Sequence, residues 1–205
     1  MKKVIVPIDF SEHSERALKA AALLAKRNAI EIVALHMLDI TVVSLSESAS
    51  DLQAQSVFYL KLAEKKFKNF LKKEYLKDIK VTPVIKHYLS FKEINDIAEE
   101  EKADLIIMSS HGATGIKELF LGSNTEKVVR HSTIPVLILK EELFDLNFED
   151  VVYASDFSEK SIPAYKKALQ LTEFFGAELH LLYVNLPNDK FKTSSEMQEN
   201  AVNFL

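Results

Sequence analysis

The feature that most constrains this chain is that it repeats itself. Val4-Ile5-Val6-Pro7-Ile8-Asp9-Phe10-Ser11-Glu12 recurs as Val151-Val152-Tyr153-Ala154-Ser155-Asp156-Phe157-Ser158-Glu159. The pairing runs on without a gap through Ala17/Ala164, Lys19/Lys166, Ala21/Ala168, Leu24/Leu171, Glu31/Glu178 and Leu35/Leu182. Roughly a third of the aligned positions are identical, far above chance for a gapless pairing, so the chain carries a tandem duplication. The second copy has no counterpart of residues 80–139. It is therefore expected to be a half-domain whose sheet edges and apolar helix faces pack on the first domain, on another subunit, or on sequence missing from a truncated chain.

The first copy alternates strand and helix. Lys3–Ile8 is a short β-branched run, as in a strand buried on both faces. Ser11 is a helix cap, followed by Glu12 and Glu15 in the first turn and an apolar stripe of Leu18, Ala21, Ala22 and Ala25. Glu31–Leu38 reads as a strand, Ile40–Ser50 as loop, and Asp51 to about Tyr75 as a helix with Leu60, Ala63, Phe67, Phe70 and Leu71 at core spacing. Strands follow at Lys80–His87, Asp104–Ser109 and Pro135–Leu139; Ser90/Glu93 and Ser123/Glu126 read as capping boxes that open the intervening helices. Strands separated by single helices make parallel crossovers. After an acidic linker at 141–149, the second copy (150–205) predicts strand Asp150–Ala154, helix Ser158–Phe175, strand Glu178–Val184 and a helix from about Ser194.

Composition removes several classes. With no cysteine there is no disulfide framework, thiolate metal site or cysteine nucleophile. No apolar run approaches the ~18 residues that span a bilayer, and an acid at position 9 comes too early for a signal peptide, so a cytoplasmic protein is expected. A net charge of -4 and a pI near 5.9 give no reason to expect nucleic acid.

Ligands of open parallel sheets bind beyond the strand carboxyl ends, where strand order reverses. Asp9 follows the first strand, and the fourth opens into Ser109-Ser110-His111-Gly112-Ala113-Thr114-Gly115, closing at Gly122-Ser123. Glycines without Cβ let amides approach a phosphate, and Gly122-Ser123-Asn124-Thr125 adds the amides and dipole of a helix start. Two readings stand side by side: a phosphate cradle, and turn glycines with a capping serine. The pattern is neither a Walker A loop nor a dinucleotide fingerprint.

Val-Pro-Ile-Asp-Phe-Ser, Leu-His-Met-Leu-Asp, and Met-Ser-Ser-His-Gly-Ala-Thr-Gly…Leu-Gly-Ser-Asn-Thr-Glu-Lys-Val…Pro-Val-Leu-Ile together resemble the universal stress protein family over residues 2–140, with 150–205 resembling the front half of a second such domain. The resemblance implies an α/β fold: an open five-stranded parallel sheet, order 3-2-1-4-5, with helices on both faces. Domain 1–140 would bind ATP, with Mg2+. Asp9 would meet the adenine or ribose side, and Pro7, Ile8 and Met37 would line the adenine pocket. Met108 and Ser109 would flank the ribose, while Gly112, Gly122, Ser123, Asn124 and Thr125 would hold the phosphates. ATP-binding members carry Gly-x2-Gly-x9-Gly-Ser/Thr; here Ser109 replaces the first glycine. Its Cβ and hydroxyl either crowd the ribose or add a hydrogen bond. The family also has members that bind no nucleotide and act through dimers or other partners. It further implies homo-oligomers through the Pro135–Leu139 edge strand, or completion of the second copy in trans.

Other residues have plainer readings. His111 suits loop structure better than catalysis, and His36 reads as a partly buried hydrogen-bonding side chain. His13, His87, His131 and His180 show no metal-ligand spacing with one another. Eight lysines between Lys61 and Lys80, against Glu64, Glu74 and Asp78, read as a solvated helix face, the rival being a surface for acidic partners or anionic membranes. No evident general base for water and no arginine finger are present, so any ATP hydrolysis is expected to be slow. The second copy keeps Asp156 but has Ala154 and Ser155 where the first has Pro7 and Ile8, and lacks the glycine loop, so no second complete site is expected.

Overall fold

The computed structural model describes residues 1–39, 49–88, 93–110, 122–143, 145–187 and 191–204. Two compact units divide the chain, Met1–Leu146 and Asn147–Leu205. In the first, the order is β1 (Lys3–Pro7), α1 (Glu12–Asn28), β2 (Glu31–Asp39), α2 (Ala49–Phe70), β3 (Val81–Tyr88), α3 (Glu93–Glu100), β4 (Leu105–Ser109), α4 (Ser123–His131) and β5 (Val136–Leu139). All five strands are parallel in one sheet of order β3-β2-β1-β4-β5, the order the resemblance implied.

That order follows from chain handedness. Crossovers between parallel strands are right-handed, so two steps outward from β1 through α1 and α2 cover one face. The chain then passes to the other side of β1, and α3 and α4 cover the opposite face. The core reflects this. Ile5, Val33, Leu35, Ile106 and Met108 pack with Ile94, Ile97 and Ala98 of α3 and Val128 of α4. Val4, Val6 and Ile107 alternate to the other face and are fully buried there, as are Leu18, Ala21 and Ala22 of α1. The β1–β4 register is pinned at the strand amino ends. The Asp104 carboxylate accepts the amides of Lys2 and Lys3, the Asp104 amide donates to Lys3 O at 2.8 Å, and Lys3 Nζ meets Glu101 at 2.9 Å.

Two sequence expectations change in this unit. The helix expected to reach Tyr75 ends at Phe70, and a 3₁₀ turn at Glu74–Leu76 follows that buries Leu76. Ser123 is not a cap: Gly122 is, at φ −55° and with no side-chain capping bond, and Glu126 instead pairs with Arg130 one turn on, at 2.8 Å. Of the other capping box, Ser90 lies outside the described residues. Four of the eight lysines of the basic segment have partners among the described residues. Lys73 meets Glu15 at 2.9 Å, Lys77 meets Glu74 at 3.9 Å, Lys80 meets Glu31 at 3.0 Å, and Lys66 sits 5.5 Å from the centre of the Phe10 ring.

The second unit contains β6 (Asp150–Ala154), α5 (Ile162–Phe175), β7 (Glu178–Leu182) and α6 (Ser194–Phe204), with β6 and β7 parallel. The helix expected from Ser158 starts as a 3₁₀ turn at Glu159–Ser161, because Pro163 sits in the first turn of α5 and lacks the amide a continuous helix needs. The two repeats share local devices. Phe10 and Phe157 both take left-handed backbone, at φ 64° and 56°. The α1 and α5 helices both end in left-handed residues, Ala29 at φ 45° and Gly176 at φ 67°.

Two hydrogen bonds join the exit of β4 to the start of α4. The Thr125 hydroxyl donates to Ser109 O at 3.1 Å, and the Gly122 amide donates to Ser110 O at 2.8 Å. Ser109, Ser110 and Thr125 are all buried. Thr125→Val keeps the shape and orphans a buried carbonyl, so it should lower unfolding stability by about 1–3 kcal/mol, read from the midpoint of urea denaturation. An unchanged midpoint would mean this tie carries nothing.

Candidate functional site

Three segments converge at the carboxyl edge of the sheet, at the point where strand order reverses. The first is the exit of β1. Pro7 is registered against Leu35, and the Ile8 amide continues the pairing by donating to Leu35 O at 2.7 Å. The left-handed Phe10 then turns the chain sharply, and this turn is held by Asp9, whose Oδ1 accepts the Ser11 amide at 3.0 Å and the Ser11 hydroxyl. Ser11 in turn caps α1 by accepting the Ser14 amide at 3.2 Å, the capping role read from sequence. Asp9 stays exposed.

The second segment is the exit of β4. Val4 is registered with Leu105, so Asp9 and Ser110 each lie five residues further along neighbouring strands. Ser109 is 8% exposed, and its hydroxyl is directed at Leu139 O of β5, 3.4 Å away. Met108 packs with the core beneath α3 and α4. The third segment is the start of α4, where Ser123 and Asn124 are exposed. The cap residue Gly122 has no side chain to turn back on the first-turn amides of Ser123, Asn124 and Thr125, and those amides have no intrahelical acceptor. Gly112 and His111 lie outside the described residues; the shoulders of their loop are the hydrogen-bonded pair Ser110 and Gly122.

Strand alternation sorts the remaining sequence-selected residues by face. Pro7 follows Ile5, and Met37 packs against the same core as Met108, so these three belong to the α3/α4 side. Ile8 follows Val4 and Val6, is 3% exposed, and belongs to the α1/α2 side. Its carbonyl is nevertheless engaged, accepting the Nδ1–H of His36 at 2.7 Å. A carbonyl only accepts, so Nδ1 carries the proton.

His36 has a displaced titration. Burial holds its pKa below the ordinary imidazole value; Lys66 acts in the same direction, while the Ile8 carbonyl and Asp9 oppose it. The ring lies against Phe10, centroids 4.5 Å apart, and Phe67 packs edge-on to Phe10 at 5.1 Å. This aromatic corner and the left-handed Phe10 were not read from the sequence. Their signal was present in the duplication of Asp-Phe-Ser, since Phe157 repeats the φ and lies against Tyr183, the counterpart of His36, at 5.5 Å.

Because the folded pKa of His36 is depressed, the neutral ring is favoured in the fold. Its contribution to stability is present above the unfolded value near ~6.5 and is lost as pH falls through the lower folded value. Imidazole NMR should place the His36 midpoint below ~6.5, and His36→Gln should flatten the loss of stability between neutral and mildly acid pH. A midpoint at or above the ordinary value would contradict the burial argument.

Comparison with known proteins supports the family resemblance carried by the sequence motifs. The family model of the universal stress protein family matches residues 1–140. Universal stress protein MJ0577 of Methanocaldococcus jannaschii is 36% identical over 156 residues, covering 69% of this chain and 96% of the relative. Universal stress protein YxiE of Bacillus subtilis is 32% identical over 145 residues, covering 67% of this chain and 98% of the relative. The solved structure of MJ0577 superposes with a TM-score of 0.59 over 69% of this chain and 97% of that one. A universal stress protein from Archaeoglobus fulgidus gives a TM-score of 0.61 at 25% identity, covering 98% of this chain and 71% of that chain. With its motifs, strand order and family match in agreement, the chain belongs to the universal stress protein family.

Proposed function

We propose that this protein is a stress-response module that binds ATP, accompanied by Mg2+, at the carboxyl ends of β1 and β4. The observation that carries this reading is the junction of β4 with α4. A helix begins there on a glycine cap whose first-turn amides are not met by a capping side chain, one strand away from an exposed carboxylate. Such a junction suits a polyanion, since helix amides and the helix dipole both favour negative charge.

The residues divide the nucleotide between them. Asp9 accepts from the ribose or adenine side, and Pro7 and Met37 give that side an apolar wall, to which Ile8 contributes backbone. Met108 and Ser109 flank the ribose. Gly112, Gly122, Ser123, Asn124 and Thr125 hold the phosphates. Thr125 acts through its amide, because its hydroxyl already donates to Ser109 O. Mg2+ is held chiefly by phosphate oxygens and water, with the Ser123 hydroxyl as the protein's oxygen donor; it neutralises phosphate charge.

The serine at the first motif position is compatible with this reading. The Ser109 hydroxyl is turned toward the β5 carbonyl, on the strand face opposite Met108, so Ser109 would flank the ribose with its backbone and its side chain would not crowd it. The function is binding rather than rapid turnover. In the second unit, Ala154 and Ser155 stand where the first has Pro7 and Ile8, so the nucleotide is assigned to the first unit. The β5 strand lies at the edge of the sheet and offers a row of amides and carbonyls to a second copy.

Isothermal titration of Mg-ATP into about 0.1 mM protein should give saturable one-to-one binding; Asp9→Asn, which keeps the turn acceptor and removes the charge, should weaken it about tenfold, a loss of ~1.4 kcal/mol. Ser109→Gly should change affinity by less than about threefold, within ~0.7 kcal/mol. Absence of heat with the wild-type protein retires the nucleotide reading in favour of a nucleotide-independent module. Light scattering should give a molar mass near twice the 23.3 kDa of one chain. A concentration-independent monomer would count against pairing at β5.

A further inference from the structure

A second cluster lies in the second unit. Asp150 and Glu178 are register partners in the parallel β6–β7 pair, and His180 is two residues beyond Glu178, so alternation sets all three side chains on one face. All three are exposed. His180 Nε2 and Asp150 Oδ1 are 2.7 Å apart, and one ligating atom from each residue lies within 4.8 Å of the others.

The first repeat supplies a control. The corresponding positions there are Lys3, Glu31 and Val33. Glu31 is neutralised, with Lys80 at 3.0 Å, the Thr82 hydroxyl donating at 3.0 Å, and Lys3 near enough to lower its pKa further. In the second repeat the lysine has become Asp150 and the valine His180. A cation has been exchanged for an anion and an aliphatic side chain for an imidazole, at the same strand register. Among the described residues, no lysine or arginine lies within ion-pair distance of Asp150 or Glu178. Two carboxylates on adjacent strands are therefore left with a single imidazole as counter-group.

We propose that Asp150, Glu178 and His180 form a divalent metal site whose occupant is Zn2+. One imidazole nitrogen and two carboxylate oxygens supply three of four tetrahedral positions, and water takes the fourth. Bonds of about 2.0–2.1 Å place tetrahedral ligands roughly 3.4 Å apart. The His180–Asp150 contact opens slightly and the Glu178 carboxylate swings inward, both by rotation of exposed side chains. As Nε2 takes the metal its contact with Asp150 breaks, and the proton of the neutral ring rests on Nδ1. The imidazole selects Zn2+ over Mg2+ and Ca2+, which prefer oxygen-only sets. This separates the site from any cation arriving with a nucleotide.

The test uses the full chain, stripped with chelator and free of nucleotide, titrated with Zn2+ against a chromophoric competitor. One equivalent should bind at this site; His180→Ala and Glu178→Gln should each weaken it at least tenfold, while a thousandfold excess of Mg2+ should leave it filled. The altered side chains are exposed, so circular dichroism should report an unchanged fold. In the unaltered protein, Zn2+ should shift the His180 imidazole resonances before those of the other five histidines. Failure to bind Zn2+, full affinity in both variants, or a first shift at another histidine overturns the assignment.

Discussion

The structure depends on one arrangement: β1 pairs in parallel with both β2 and β4, strands from opposite sides of a long excursion of the chain. Every helix must then choose a face according to which side of β1 the chain is travelling. The change of side leaves a gap between crossovers above β1 and β4. Asp104 fixes that junction from below. Burial alone would raise its pKa, but the Lys2 and Lys3 amides hold the carboxyl below its usual range, so it stays ionised and bonded where the two strands begin. With the register set at the amino ends, the positions of Asp9 and Ser110 at the other ends follow.

The two repeats show what this arrangement needs and what it does not. Both keep a strand, a turn through a left-handed phenylalanine, a helix and a second strand. They differ elsewhere on that frame, where Lys3, Val33 and His36 correspond to Asp150, His180 and Tyr183. Val33 is buried in the core of the first unit, whereas Lys3 and Asp150 stand at the first position of their strands, where an exchange of charge is tolerated. The buried alternation of Val4, Ile5 and Val6 permits no such exchange without orphaning a charge in the core.

Most of the fold was legible in the sequence because its signals are short-range. Uninterrupted apolar runs mark strands buried on two faces, and the α1 stripe of Leu18, Ala21, Ala22 and Ala25 is buried as its spacing requires. The errors fall where two local solutions compete. Ser123 and Glu126 have capping-box spacing, but Gly122 sits one residue earlier and Arg130 stands within reach of Glu126. The loss of helix after Phe70 depends on burying Leu76, which no local pattern encodes. Within the candidate site, the sequence named candidate residues but not their orientation. That Ser109 turns to Leu139 and Thr125 to Ser109 requires knowing that β5 lies beside β4.

The left-handed corner has a consequence for how such sequences are interpreted. Phe157 adopts it beside Asp156 and Ser158, with the Ser158 amide donating to Asp156 at 2.9 Å, although Ala154 and Ser155 stand where the first repeat has Pro7 and Ile8. The Asp-Phe-Ser triplet thus acts as a mechanical elbow, swinging the chain from strand into helix in both repeats. A search keyed to that triplet alone would find hinges of architecture, whatever side chains surround them.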